Sequence, residues 1–134
     1  MTRSVDHIAV VVDDLDKALG FYRDALGLPV IERRNVPEER VAVASLALEN
    51  VSIELVQPLS AGSGVARFLS KRGEGLHHIC LTVGDIVTTM RELREAGVEL
   101  TTEEPRTGPD GRRYAFVHPK CAHGVLLELY EETQ

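Results

Sequence analysis

Residues Val5 to Val12 alternate, with His7, Ala9 and Val11 toward one side and Ile8, Val10 and Val12 toward the other. Both sides are mostly apolar, the pattern of a strand covered on two faces. Asp13-Asp14 supplies a helix N-cap, and Leu15, Ala18, Leu19, Tyr22, Ala25 and Leu26 follow at helical spacing. Gly27 ends that helix and Pro29 opens an extended segment. Three strands are then expected, over about 29–35, 40–48 and 51–57, with Glu49-Asn50 as a tight hairpin turn between the last two. The first half reads βαβββ.

The segment from Pro58 to Gly75 joins the halves. Ser60 to Gly64 reads as loop, Val65, Phe68 and Leu69 suit a short helix, and Gly73-Glu74-Gly75 returns the chain to a strand. The second half repeats the order of the first. Leu76–Val83 is strand-like, and Asp85 caps a helix whose inner face is Ile86, Met90, Leu93 and Ala96. Gly97 ends it, and strands are expected over 98–102, 113–118 and 124–131. A loop rich in Pro, Gly and Arg runs from Glu104 to Arg113.

The repeat is visible residue by residue. A shift of 71 carries His7 onto His78, Asp14 onto Asp85, Leu15 onto Ile86 and Ala25 onto Ala96, and with one residue of slip Gly27 meets Gly97. The expected fold is α+β: two tandem βαβββ modules forming one curved sheet around a metal-binding cleft, with the helices outside. Module one spans about 4–58, the connection about 59–75 and module two about 76–132, all within a single domain of ordinary size. A chain of 134 residues buries about two-thirds of its unfolded surface, so it needs neither disulfide nor metal to fold.

Charge narrows the range of partners. With 15 basic and 21 acidic residues the net charge is −6, which gives no support to nucleic-acid or anionic-membrane binding. No apolar run reaches the ~18–20 residues that span a bilayer, and no export signal is expected ahead of the first strand. Cys80 in an apolar strand and Cys121 in a loop read as reduced thiols, and a cytoplasmic location is expected.

The repeat also delivers chemistry. Each half closes on a strand with one glutamate among apolar residues: Ser52-Ile53-Glu54-Leu55 and Leu126-Leu127-Glu128-Leu129. A carboxylate in such surroundings needs a partner or a metal. A lone strand histidine is ordinarily a hydrogen-bonded core residue, but His7, Glu54, His78 and Glu128 at repeat-equivalent positions form a ligand set for one divalent ion. Two imidazoles and two carboxylates suit Zn, Ni, Co, Mn or Fe(II) and neutralise the ion's charge. Four protein ligands leave one or two positions open on a five- or six-coordinate ion, as a substrate-binding site requires. His77 points away from His78 by alternation, and His118 and His123 fall near strand ends or loops.

At these residues the sequence resembles the vicinal oxygen chelate superfamily and, within it, the methylmalonyl-CoA epimerases. The likeness covers the whole chain. It rests on D-H-I-A-V, F-Y-R-D-A-L-G-L, I-E-L-V-Q-P-L, the stretch from Phe68 to Ile79, E-E-P-R, and His118-Pro119-Lys120 followed by G-V-L-L-E-L. The resemblance implies metal ligands at His7, Glu54, His78 and Glu128, a divalent ion (cobalt preferred; Zn, Ni, Mn or Mg as alternatives), an acyl-CoA substrate and a homodimer. It implies interconversion of 2R- and 2S-methylmalonyl-CoA by removal of the C2 proton, with Glu128 as a catalytic acid/base. In some family members a second carboxylate stands where this chain has Val43. Lys71-Arg72, Arg106, Arg112-Arg113 and Lys120 are the cations available to CoA phosphates.

Three other activities share this fold class. A glyoxalase-I-type lactoylglutathione lyase has the same four-ligand pattern. An extradiol-type dioxygenase needs more open positions than a fourth ligand at Glu54 leaves. A non-catalytic small-molecule binder of this fold usually lacks the ligand set. The fold alone does not choose among them.

Overall fold

A computed structural model describes residues 2–132. Its elements run strand, helix and three strands twice, although in the second module one strand, Arg106–Thr107, comes from within the expected 104–113 loop rather than from 98–102. The first set is β1 (Thr2–Val11), α1 (Leu15–Leu19), β2 (Val30–Val36), β3 (Val41–Ala47) and β4 (Ser52–Pro58). After α2 (Gly64–Arg72) come β5 (Gly75–Val83), α3 (Ile86–Glu95), β6 (Arg106–Thr107), β7 (Arg113–Val117) and β8 (Leu127–Glu131). Two compact units divide the chain. One runs His7–His77; the other takes the residues through Asp6 together with those from His78 onward, so both boundaries fall inside strands. The connecting segment 59–75 therefore belongs with the first module.

In the His7–His77 unit the strands lie in the order β2-β3-β4-β1, with β1 parallel to β4 and the other pairs antiparallel. The counterpart order β6-β7-β8-β5 holds in the other unit, with β5 parallel to β8. There the opening of β1 is tied on by Ser4, whose backbone N–H donates to Thr82 Oγ1 at 3.1 Å.

Alternation assigns each strand face a task. In the first unit Leu15 and Leu19 of α1 pack with Ala44, Leu46 and Leu55. In the second, Ile86 and Met90 of α3 pack with Val83, Ala115, Val117 and Leu129. Leu19, Leu55 and Ile86 are completely buried, each stabilising the fold by about 1.5–3 kcal/mol relative to exposure. Each helix thus covers one face of its sheet, and the opposite face carries the polar residues described below. Asp14 caps α1 by accepting from Lys17 N–H at 3.1 Å, and Ser63 caps α2 by accepting from Ala66 N–H at 2.9 Å. Gly27 and Gly97 both adopt the left-handed conformation (φ 78° and 86°) after their helices, as their equivalence in the repeat requires.

Three local expectations are corrected. The first helix is α-helical only through Leu19 and continues as a π-helical segment, Gly20–Ala25. The wider turn rotates the inner face, so Ala25 and Leu26 are exposed and Leu28 packs on the core instead. The strand expected over 98–102 shrinks to a single bridge between Leu100 and Val117. Beyond it the carbonyls of Thr102 and Glu103 accept from the Arg94 guanidinium at 2.8 and 2.6 Å, and the Thr102 hydroxyl donates to the Glu104 carbonyl at 2.7 Å. These side-chain bonds, followed by Pro105, displace a ladder. The strand expected over 124–131 begins at Leu127. A 3₁₀ turn at Pro119–Ala122, closed by Gly124 N–H donating to the Pro119 carbonyl at 2.8 Å, holds the preceding residues.

Candidate metal centre

Register builds two His–Glu pairs of the same design. In the first unit His7 lies opposite Ser52 and Ala9 opposite Glu54, so Glu54 sits one pleat beyond His7 on the same face. In the second unit Cys80 lies opposite Glu128, which places Glu128 one pleat beyond His78 on the same face. The parallel pairing of first and last strands, repeated in each module, produces both arrangements.

The distances agree with the register. His7 Nε2 lies 3.5 Å from Glu54 Oε1, and His78 Nε2 lies 2.9 Å from Glu128 Oε1. All four side chains are largely shielded, with 4% and 15% of the first pair exposed and 10% and 12% of the second. Each pair offers one imidazole nitrogen and one carboxylate oxygen from a rigid strand, so the donor chemistry fits a divalent ion of the borderline class. The His78 ring meets Phe116 edge-on, with centroids 5.6 Å apart, which fixes its plane.

Two polar residues that the sequence reading did not single out attend Glu54. Arg34 Nη2 donates to Glu54 Oε2 at 3.4 Å, and Arg34 Nη1 donates to Ser45 Oγ at 3.0 Å and Glu32 Oε1 at 2.8 Å. The Ser45 hydroxyl donates to Glu54 Oε2 at 3.5 Å. Burial on its own would lower the Arg34 pKa, but the charges of Glu54 and Glu32 and their hydrogen bonds outweigh it and raise the guanidinium above its ordinary value. One sequence signal points at Ser45: it is the polar residue inside the apolar run Val41–Leu48. No comparable signal separates Arg34 from Arg33.

Further along the face of Glu128, burial raises the Tyr130 phenol far above its ordinary pKa, and its hydrogen bond to Asp110 Oδ2 at 2.7 Å adds to the effect. Tyr130 stays a neutral donor. Val43 lies in a buried apolar cluster with Ala9, Val41 and Val56, packed against by Val36 and Val65.

The remaining histidines have local partners. The His77 ring meets Phe68 edge-on at 4.9 Å, and His118 Nδ1 accepts from Lys120 N–H at 3.1 Å. His123 occupies the left-handed position that ends the 3₁₀ turn. Among the candidate cations, Arg113 is bidentate on Glu131 at 3.0 and 2.6 Å. Arg112 stacks 3.8 Å over the Tyr130 ring, Arg72 lies 5.5 Å over the Phe68 ring, and Lys120 pairs with Glu99 at 3.3 Å. Arg106 lies on β6, and Lys71 in the last turn of α2. No helix among the described residues is long and apolar enough to cross a membrane.

Residues 6–116 match the Glyoxalase/Bleomycin resistance protein/Dioxygenase superfamily. The ethylmalonyl-CoA/methylmalonyl-CoA epimerase of Cereibacter sphaeroides is 40% identical over 131 residues, covering 96% of this chain and 98% of that protein. The crystal structure of methylmalonyl-CoA epimerase from Mycobacterium tuberculosis superposes with a TM-score of 0.93 at 36% identity, covering 99% of this chain and 90% of that one. A methylmalonyl-CoA epimerase in complex with methylmalonyl-CoA and NH4+ gives a TM-score of 0.93 at 34% identity, covering 99% and 96%. At these identities and over this length, the chain belongs to the Glyoxalase/Bleomycin resistance protein/Dioxygenase superfamily and, within it, is an enzyme of the methylmalonyl-CoA epimerase family.

Proposed function

We propose that this protein is a metal-dependent epimerase that interconverts 2R- and 2S-methylmalonyl-CoA. The observation that carries the reading is the pair of His–Glu donors set at the same register in both modules, in a chain so similar to epimerases of known substrate. His7, Glu54, His78 and Glu128 are the proposed ligands of one divalent ion, with cobalt the preferred metal and zinc, nickel, manganese or magnesium as alternatives. When bound, that ion supplies Lewis-acid stabilisation of negative charge next to the thioester.

The chain's own residues account for the rest. The C2 hydrogen lies between a thioester and a carboxylate, and breaking its C–H bond leaves the electron pair delocalised as an enolate. Glu128 is the group proposed to serve one face of C2, taking the proton from one epimer and supplying it in the reverse direction, while a second group delivers a proton to the opposite face; a shielded carboxylate on a rigid strand is a competent acid/base. The group serving the opposite face of C2 is not residue 43, because Val43 carries no proton to give. Phe116, edge-on to His78, holds the plane of that imidazole. A homodimer, an acyl-CoA ligand whose phosphates meet Lys71, Arg72 or Arg106, and a cytoplasmic location complete the proposal.

The test is isotope exchange at C2. The protein is loaded with Co(II), given methylmalonyl-CoA in deuterated water and followed by proton NMR. Enzyme-dependent loss of the C2 signal, abolished in His78→Ala and in Glu128→Gln, is expected. Full exchange in Glu128→Gln would remove Glu128 from the mechanism. No exchange by the metal-loaded wild type would refute the epimerase reading and favour a lyase assay on a glutathione hemithioacetal.

A further inference from the structure

The two His–Glu pairs share a register, and Glu54 carries in addition a brace built on Arg34 and Ser45. Its two oxygens have separate partners: Oε1 lies toward His7 at 3.5 Å, while Oε2 accepts from Arg34 at 3.4 Å and from Ser45 at 3.5 Å. The contacts to Oε2 are long, so the precision comes from what holds the guanidinium. Arg34 Nη1 is fixed by Glu32 Oε1 at 2.8 Å and by Ser45 Oγ at 3.0 Å. Arg34 lies opposite Val43, and Ser45 opposite both Glu32 and Glu54, so all four polar side chains rise from one face of three adjacent strands. Arg34 and Glu32 cancel in charge, so the brace orients Glu54 without adding net charge beside a cation.

We propose that Arg34, held by Glu32 and Ser45, is a positioning residue that reserves Oε1 of Glu54 for the divalent ion and keeps Glu54 a one-oxygen ligand. This rests on the metal reading above. Partners that orient a ligand commonly alter metal affinity by about 10–100-fold when removed. A planar fork is needed to reach Ser45, Glu32 and Glu54 together, which a lysine cannot do.

The test is Co(II) binding, read by calorimetry and by the visible absorption of the bound ion. The charge-balanced double variant Glu32→Gln/Arg34→Met isolates orientation from electrostatics. It should bind Co(II) at least about tenfold more weakly, with an altered visible band as the released carboxylate changes the coordination. Arg34→Lys should lie between the double variant and wild type. A double variant with wild-type affinity and an unchanged spectrum would overturn the proposal, even if its melting temperature falls. Should the double variant fail to fold, Ser45→Ala decides the matter, since it removes one donor to the same oxygen and one anchor of Arg34 without altering charge. A weaker, spectrally shifted Co(II) complex supports the role, and an unchanged one refutes it. If the wild type binds no Co(II), the metal reading itself fails, a result distinct from an unaffected variant.

Discussion

Val43 offers the sharpest separation of stability from chemistry. The resemblance implies a carboxylate at this position in some family members, yet only 4% of Val43 is exposed; it packs with Ala9, Val41, Val56, Val36 and Val65 and lies opposite Arg34 on the neighbouring strand. Val43→Ala removes two methyl groups, worth about 1.6 kcal/mol at ~0.8 kcal/mol per buried carbon. The cavity left, on the order of 50 Å³, adds about 1 kcal/mol at ~24 cal/mol per Å³. The expected loss is therefore about 2–3 kcal/mol, measured by urea denaturation with an unchanged slope. Val43→Glu should lose more, because a carboxylate packed against Ala9, Val41 and Val56 is desolvated as well as misfitted, and it would compete with Glu54 for Arg34 on the neighbouring strand. C2 exchange by Val43→Ala should stay within about threefold of wild type below its melting range, less than ~0.7 kcal/mol of transition-state stabilisation. A stability loss under about 0.5 kcal/mol would refute the packing argument. A hundredfold fall in exchange by folded, metal-loaded Val43→Ala would instead tie position 43 to the chemistry and refute the assignment of Val43 as core.

Two further outcomes test other parts of the structure. The two hydrogen bonds from Arg113, aided by its charge, hold the Glu131 carboxyl below its ordinary pKa against the opposing effect of burial. A depressed folded-state pKa stabilises above the unfolded value of about 4.3 and ceases to do so as pH falls through the folded value. The stability gap between wild type and Glu131→Gln should thus be full at neutral pH and close in acid, and a gap that is flat with pH would contradict it. Arg94→Met should lose the two carbonyl contacts that fix residues 102 and 103, at about 1 kcal/mol for an exposed charge-assisted pair. Hydrogen exchange at the Thr101 amide, which donates to the Phe116 carbonyl, should accelerate in that variant, and unchanged exchange would show that Arg94 does not anchor the segment.

Where a single period governed a segment, the chain was readable. His7, Ala9 and Val11 alternate against an apolar face, and Ile86 and Met90 follow helical spacing; both patterns are realised. The two His–Glu pairs were legible because the repeat fixes four positions together, and a chance histidine on one strand has no reason to recur one module later. The misreadings occur where side chains compete with the backbone ladder or where the helix changes pitch. Thr101-Thr102 has strand propensity, but Arg94, eight residues away in sequence, takes the carbonyl that a neighbouring strand would have used. Nothing in the run from Leu15 to Leu26 announces the π-helical turn that leaves Leu26 outside.

The brace on Glu54 was illegible for a different reason. Arg33 and Arg34 are adjacent and identical, and which of them faces the site depends on strand register. Register in turn depends on a bulge: Val30 pairs with Leu46 and Glu32 with Ser45, so Ile31 is the extra residue. With the bulge, Arg34 falls opposite Val43 on the face of Glu54, while Arg33 turns outward to meet Asp16 at 3.1 Å. If β2 slipped by a single residue, the two arginines would exchange faces. Glu54 would then lose the brace without any change in its own strand. The two His–Glu pairs are written in the repeat, but the arginine that meets Glu54 is written in an irregularity of a single strand.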